Sequence, residues 1–316
     1  MTTPSGQISA LDIRNEFGET GEGKVALGSY RVSQTKGQLT LAIGDGVPTS
    51  GTISYDNMRN KQLNIVVDYY ADNANLNRTD NGADTMNAKY RYDNQNERVH
   101  VIGGLRSKPS NTSGHRVRIH VNQTLGGAKG GSNVCALRTG SWNSGTNLSV
   151  DVGSSGKIYG GGGDGGEGGN TDDAGNRGQD GASALGVDYN GTVINVSSGA
   201  LLRCGFGGGG GGGAGFPAGS GGDRGRTHVD GGDGTAGNLN TAGDGGGGGN
   251  NHNQAYGGHG GEGGSQGQAA DAGGGGNHGA GAGGAEGSAI RKQSGASFTL
   301  VNGGSVIGAT NQTGVS

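Results

Sequence analysis

Apolar residues in this chain fall into short alternating clusters, separated by long polar stretches filled with glycine. From 63 to 159 the clusters predict strands at Leu63–Tyr70, Tyr90–Tyr92, Val99–Ile102, Val117–Val121, Val134–Arg138 and Leu148–Val152. In Val117-Arg118-Ile119-His120-Val121 the alternation places three apolar side chains on one face. Asn, Asp, Ser and Gly fill the connections, as turns require. A small β-sandwich-like or jelly-roll-like domain over 63–159 follows. Three places then share an apolar-x-apolar pair, a Gly/Ser turn and one or two further apolar residues: Val150–Tyr159, Ile194–Leu202 and Phe298–Ile307. Each reads as a short β-hairpin (the last two near 187–206 and 298–308), and together they predict one β platform.

The first 62 residues carry a different pattern. Ser5-Gly6-Gln7-Ile8-Ser9 leads to Ile13-Arg14-Asn15, and Ser50-Gly51-Thr52-Ile53-Ser54 leads to Met58-Arg59-Asn60. Both copies read S-G-x-I-S-x-x-x-[I/M]-R-N. Ser9 and Ser54 are candidate N-caps of a helical turn. The segment is too small to bury a core of its own, so it reads as a docking module. Its candidate attachment residues are Ile8, Ile13, Arg14, Ile53, Met58 and Arg59.

Composition changes the picture beyond Tyr159. Of 316 residues 79 are Gly, only 4 are Pro, and 4% are aromatic, values that alone would suggest disorder. Yet glycine keeps a register: of the 25 positions at every third residue from 207 to 279, 19 are Gly. A three-residue period matches the polyproline II helix, which has three residues per turn and no internal hydrogen bonds. Collagen would need abundant Pro, and four cannot supply it. The expectation for 160–316 is therefore a bundle of about eight antiparallel polyproline/polyglycine II helices, held by main-chain bonds between neighbours, with the hairpins at its base.

Breaks in the register locate the reversals. They fall at Asp172 in the first tract and, between 207 and 252, at Phe216, His228, Asn240 and His252, spaced twelve apart; a further turn falls near Ala270. Nine-residue runs would each be ~28 Å long at the polyproline II rise. Counting passes from the platform puts Asn170, Thr171, Asp172, Asp173, Phe216, Pro217, Asn238, Leu239, Asn240, Thr241, Gln268 and Asp271 at the far end. It puts Arg226–Asp230 and Asn250–Tyr256 beside the platform.

Little catalytic chemistry is legible. The seven His are scattered, no HExxH or His/Cys cluster occurs, and no metal or cofactor is expected. Asp172-Asp173 reads as a solvated turn. No glycine run has the spacing of a phosphate loop. A net charge of −3 without a basic run argues against nucleic acid. The amino terminus has no signal-peptide pattern, and no stretch is long and apolar enough to span a membrane. Charged, mixed residues between the glycines disfavour the flat Ala/Thr face of an ice binder. Cys135 and Cys204 lie 69 residues apart and read as buried free thiols.

The repeated S-G-x-I-S module, the β region and the V-x-x-G-x-I-x-G-G-G-G type of lead into glycine resemble glycine-rich bacteriophage tail proteins, including those of cyanobacterial and marine phages. The glycine region also resembles the polyglycine II receptor-binding tip adhesins of T-even-like phages. The resemblance implies a virion tail protein, non-enzymatic, with 1–62 attaching to tail or baseplate proteins. The far-end turns would contact a host surface polysaccharide or outer-membrane protein. Several copies per virion are expected, a trimer among the options. A purely structural tail-fibre or baseplate protein is the alternative. The short loops, poor in aromatics, depart from the tip adhesins' long aromatic ones.

Overall fold

The computed structural model describes residues 3–17, 27, 34–36, 39–41, 48, 50–61, 64–69, 84–85, 99–102, 112–114, 116–127, 130–169, 174–212, 232–235, 243–247, 250–251, 255–256 and 279–315. Helix α1 (Ala10–Phe17) comes first, followed by a small antiparallel pair, β1 (Gln34–Lys36) with β2 (Leu39–Leu41), and a single 3-10 turn at Tyr55–Met58. The strands of the body follow in order: β3 (Asn64–Tyr69), β4 (Asp84–Thr85), β5 (Val99–Ile102), β6 (Arg116–Val121), β7 (Thr124–Gly126), β8 (Cys135–Arg138), β9 (Asn147–Val152), β10 (Lys157–Tyr159), β11 (Ser183–Val187), β12 (Thr192–Val196) and β13 (Leu201–Arg203). A two-residue pair, β14 (Asn250–Asn251) and β15 (Ala255–Tyr256), precedes the last four: β16 (Ile290–Lys292), β17 (Phe298–Asn302), β18 (Ser305–Ile307) and β19 (Gln312–Thr313).

These strands wind into three mainly parallel sheets. The first runs β17-β12-β9-β6-β3-β5, the second β18-β13-β10-β7, the third β19-β16-β11-β8-β4. Only β5 is antiparallel to its neighbour. Successive turns of chain visit the sheets in the same order, so the body is a three-faced parallel β-solenoid. Identical faces stack from turn to turn. Ile119, Val150, Ile194 and Leu300 form one ladder, and Leu125, Ile158, Leu202 and Val306 another. The first three members of each are wholly buried. A fully buried side chain of this size contributes about 1.5–3 kcal/mol, so the ladders supply the core that the glycine region lacks.

This arrangement corrects two expectations. The strands of 63–159 do not close into a separate sandwich, because all three sheets continue through strands beyond Tyr159. Nor are the three apolar pairs hairpins. Val150 in β9 lies between Ile119 and Ile194 of neighbouring turns, and Ile158 in β10 lies between Leu125 and Leu202. The turn between β9 and β10, closed by the Gly156 N–H to Gly153 carbonyl bond of 2.7 Å, bends the chain around a corner without reversing it. A hairpin and a solenoid corner demand the same alternation of side chains, so the pattern alone could not separate them.

Polar side chains fasten another corner. Arg138 in β8 holds Asp188 through two nitrogens, and Asp188 also accepts the Gly140 N–H at 2.9 Å. The bond to Asp188 holds the Arg138 guanidinium's pKa above its ordinary value. Trp142 packs beside them and donates its indole N–H to the Thr139 carbonyl at 2.8 Å.

Both glycine segments leave the solenoid at one corner. The first departs after β10 and returns at β11, and the second departs after β13 and returns at β16. Each is thus an insertion between the second and third sheets, on consecutive turns.

Candidate functional site

The described glycine runs are 160–169, 174–182, 205–212, 232–235, 243–247 and 279–287. None is a strand or helix, and all are joined by main-chain bonds with a three-residue period. The run 205–212 lies at the centre. Its eight carbonyls all accept bonds, in three columns: Gly205, Gly208 and Gly211 from 279–287; Phe206, Gly209 and Gly212 from 160–169; Gly207 and Gly210 from 243–247. Its Gly205, Gly208 and Gly211 N–H groups donate to 174–182, and Gly209 and Gly212 to 232–235. Neighbours on every side leave no room for a Cβ, which at Gly207, Gly209 or Gly211 would lie 1.8–1.9 Å from a carbonyl oxygen of an adjacent run. The outer runs need glycine only on the side facing their neighbours. In 174–182, Gly175, Gly178 and Gly181 are the close approaches, while Arg177 and Asp180 between them carry an ion pair.

Bond registers give each run's direction. Run 160–169 leaves the solenoid, and 205–212 is parallel to it: Gly160, Gly163, Gly166 and Gly169 bond to Arg203, Phe206, Gly209 and Gly212. Runs 174–182 and 279–287 oppose the central run and return. Run 232–235 also returns, since Gly209 bonds to Thr235 and Gly212 to Gly232. Run 243–247 travels outward, with Gly243 and Gly246 bonding to Gly207 and Gly210. With a far-end turn expected at Asn240, the chain would run outward before it and return after it; the described residues 232–235 and 243–247 run the opposite way. One net reversal, rather than two, separates 212 from 232.

The consequence falls on the candidate contact residues. Asn170, Thr171, Asp172, Asp173, Phe216, Pro217, Asn238, Leu239, Asn240, Thr241, Gln268 and Asp271 all lie outside the described residues. The described ends flanking them are informative. Gly169 and Ala174, Gly212 and Gly232, and Gly247 and Gly279 lie at the end away from the solenoid. Thr235 and Gly243, which flank Asn238–Thr241, bond to Gly209 and Gly207 towards the solenoid. The antiparallel pair β14–β15 follows the outward run 243–247 in the chain, whereas the expectation for Asn250–Tyr256 has a returning run precede it. Register breaks mark where a run stops; they carry no record of which end it has reached.

The two N-terminal copies form equivalent turns. Ser9 N–H donates to Asp12 Oδ2 at 2.8 Å and Asp12 N–H to Ser9 Oγ at 3.2 Å, a capping box at the start of α1. Ser54 N–H donates to Asn57 Oδ1 at 2.8 Å in the same relative position. The start of the segment is tied to its end. Thr3 N–H donates to the Lys61 carbonyl at 3.0 Å, and Thr3 Oγ1, buried, bonds to the Met58 carbonyl and accepts the Lys61 N–H. Ile13 and Met58 are completely buried, and Ile8 and Ile53 are half-buried. Arg14 lies on α1, while Arg59 is exposed and pairs with Asp56 at 2.9 Å. Exposed Leu11 and Tyr55, at 61% and 41%, are apolar surface that the motif did not single out. They differ between the copies, so the repeat gave no signal for them.

The two thiols are free and buried, and burial pushes each up to about 12. Among the described residues no three His, Cys, Asp or Glu side chains converge on a metal-sized site, and no helix is long and apolar enough to cross a membrane.

Comparison with known proteins adds three findings. A solved structure, the gp37-gp38 adhesin tip complex of the bacteriophage S16 long tail fiber, is similar over 84% of this chain and 90% of that chain, at 17% identity and a TM-score of 0.36. No curated protein matches the chain. The family model of the phage tail fibre adhesin Gp38 matches residues 65–311, which span the solenoid from β3 to β18 with both glycine insertions. By that match the chain belongs to the Gp38 family of phage tail fibre adhesins, proteins of the virion tail.

Proposed function

We propose that the glycine insertions form a bundle of polyglycine II helices, and that this adhesin touches its host through the links at the bundle's far end. The three carbonyl columns of 205–212 carry the first part. Carbonyls that repeat direction every third residue and bond only to other runs are what a helix with three residues per turn produces. The alternation of outward and returning runs supports the second. The links 170–173, 213–231 and 248–278 start and finish away from the solenoid, so Asn170–Asp173, Phe216, Pro217, Gln268 and Asp271 stay in the contact set. Asn238, Leu239, Asn240 and Thr241 leave it, and the hairpin Asn250–Tyr256 joins it.

The mechanism is binding without covalent chemistry or a cofactor. A rigid bundle orders its links in advance, so little entropy is lost on contact, and the links can vary without disturbing the main-chain lattice. The partner is a host surface polysaccharide or outer-membrane protein. Residues 1–62 are the mount on the tail, with Ile13 and Met58 shaping the module and Leu11, Tyr55 and Arg59 left to meet a tail protein. Phage carrying replacements in 213–231 or 250–256 should lose or change host range, while replacements in 238–241 should not. Normal adsorption by all the far-end variants would favour a purely structural tail component.

A further inference from the structure

The outer face of the first sheet carries a groove. Strands β6, β9 and β12 lie side by side there, about 4.8 Å apart, and their outward side chains fall in rows. Arg116 stands beside Asn147, Arg118 beside Ser149 and Val193, and Asp151 beside Asn195. Together they line a cavity of ≈ 280 Å³ that opens to solvent, close to the lower end of the roughly 300–1,000 Å³ typical of small-molecule sites. One carboxylate fixes two of the lining groups. Asp151, its side chain 14% exposed, accepts the Arg118 Nε–H at 3.0 Å and an Asn195 Nδ2–H at 2.6 Å. The terminal nitrogens of Arg118 and the Oδ1 of Asn195 are left over. Among the described residues neither they nor the side chains of Asn147 and Ser149 have a hydrogen-bond partner. Val193 adds an apolar patch, 36% exposed, in the same row as Ser149.

We propose that this groove binds a single neutral sugar unit of a surface glycan. A sugar hydroxyl both donates and accepts, so its site needs both kinds of group. Arg118 supplies donors, Asn195 Oδ1 supplies an acceptor, and Asn147 and Ser149 can act as either. Val193 takes the C–H face of the ring. A carboxylate-bearing sugar fits less well, because Asp151 in the same groove would face a like charge. A peptide strand has no purchase here, since the main-chain groups of β6, β9 and β12 already bond to one another. The first sheet lies opposite the corner where both glycine insertions leave, so the groove is remote from the far end of the bundle. It suits a chain-like glycan standing alongside the adhesin rather than the surface that the links meet. That role rests on the adhesin reading; the binding itself depends on none of the far-end links.

NMR titration of the full chain tests this, with the methyl glycosides of glucose, mannose and galactose as separate probes. At least one should shift the Arg118 Nε–H and the Asn147 side-chain amide saturably. Its dissociation constant should be about 1–10 mM, ordinary ligand efficiency for a molecule of about 13 heavy atoms. Each lost hydrogen bond is worth about twofold to tenfold. Asn147→Ala, at an exposed position, should therefore weaken binding at least about twofold, and Asn147→Ala with Ser149→Ala at least about tenfold, with melting curves unchanged. Tyr256→Ala, in the far-end links, should leave the titration as it was. No saturable shift with any probe up to about 50 mM, several times the expected constant, overturns the proposal. So does undiminished binding in the double variant, tighter binding of methyl glucuronoside, or loss of binding in Tyr256→Ala. A failure here leaves the far-end reading standing, because host range after replacements in 213–231 or 250–256 tests that reading separately.

Discussion

Replacing Gly209 with Ala should cost more than its single methyl group suggests. The new Cβ would lie 1.8 Å from the carbonyl oxygen of Asp244 and 2.3 Å from its carbon. Ordinary contact begins near 3.4 Å, so the runs must separate by about 1.6 Å, the difference between those two distances. Both atoms are main chain, so no rotamer relieves the clash. Separation breaks the two bonds that join these runs, Gly243 N–H to Gly207 at 2.9 Å and Gly246 N–H to Gly210 at 2.8 Å. Each bond contributes about 1 kcal/mol net, and overpacking adds about 1–3 kcal/mol. Loss of unfolded-state entropy returns about 0.4–1 kcal/mol. The net destabilisation is about 2–4 kcal/mol, or roughly 5–15 °C in melting temperature at 2–4 °C per kcal/mol. Gly247→Ala is the matched control, since its Cβ meets nothing within 4 Å. Calorimetry on both variants should show a large drop for Gly209→Ala and none for Gly247→Ala. Trp142 emission would report the solenoid separately. Indistinguishable melts for the two variants would refute the close-packed lattice.

Other expectations concern the solenoid and the amino-terminal turns. Asp188→Asn leaves Arg138 beside a neutral amide and should cost about 2–3 kcal/mol, below the full value for a buried pair because Arg138 is partly exposed; denaturant unfolding followed by Trp142 fluorescence measures it. With the thiols pushed up to about 12 by burial, only roughly 10⁻⁴ of each is thiolate at pH 8, so a disulfide reagent should find no reactive cysteine until denaturant is added, and then two. The same shift fixes the sign of a pH effect: the unfolded thiols ionise first, so this contribution to stability is whole below the ordinary thiol range and is lost as pH rises towards 12. Asp12 is held below the ordinary carboxylate range by the Ser9 hydroxyl and N–H. Its capping bond should persist above that range and fail as pH falls through its depressed value, whereas the matching Asn57 bond should not titrate; NMR chemical shifts of the two turns distinguish them.

How much of this was legible depends on what each pattern encodes. Contiguous glycine at 207–213 and a period of three in the flanking segments record how many sides of a run are crowded. The central run is enclosed on every face, and the outer runs spare the positions held by Arg177 or Asp180. The glycine spacing therefore reflects how the runs are packed, although nothing in the sequence reading marked 205–212 as the central one. Alternation at 117–121, 148–152 and 194–196 records which side chains face inward, and those residues do form the core. It does not name the neighbouring strand, because a parallel partner one turn away is joined through corners and insertions of varying length: Ile119 meets Val150, then Ile194, then Leu300. The first sheet was consequently divided between a sandwich and hairpins. At the amino terminus the repeat preserved Ser9 and Ser54 with an acceptor three residues on, and the same bond forms twice. Run direction was the least accessible quantity. A break in the glycine register says that a Cβ is tolerated there, which is true both at a reversal and within a loop that never re-enters the lattice. His228 breaks the grid as Asn240 does, yet Gly212 and Gly232 bond directly, so the breaks between them contribute one net reversal. Each miscounted break inverts every later end assignment until another corrects it. For that reason the expected directions at 232–235 and 243–247 are inverted together, while the final run 279–287 returns as expected.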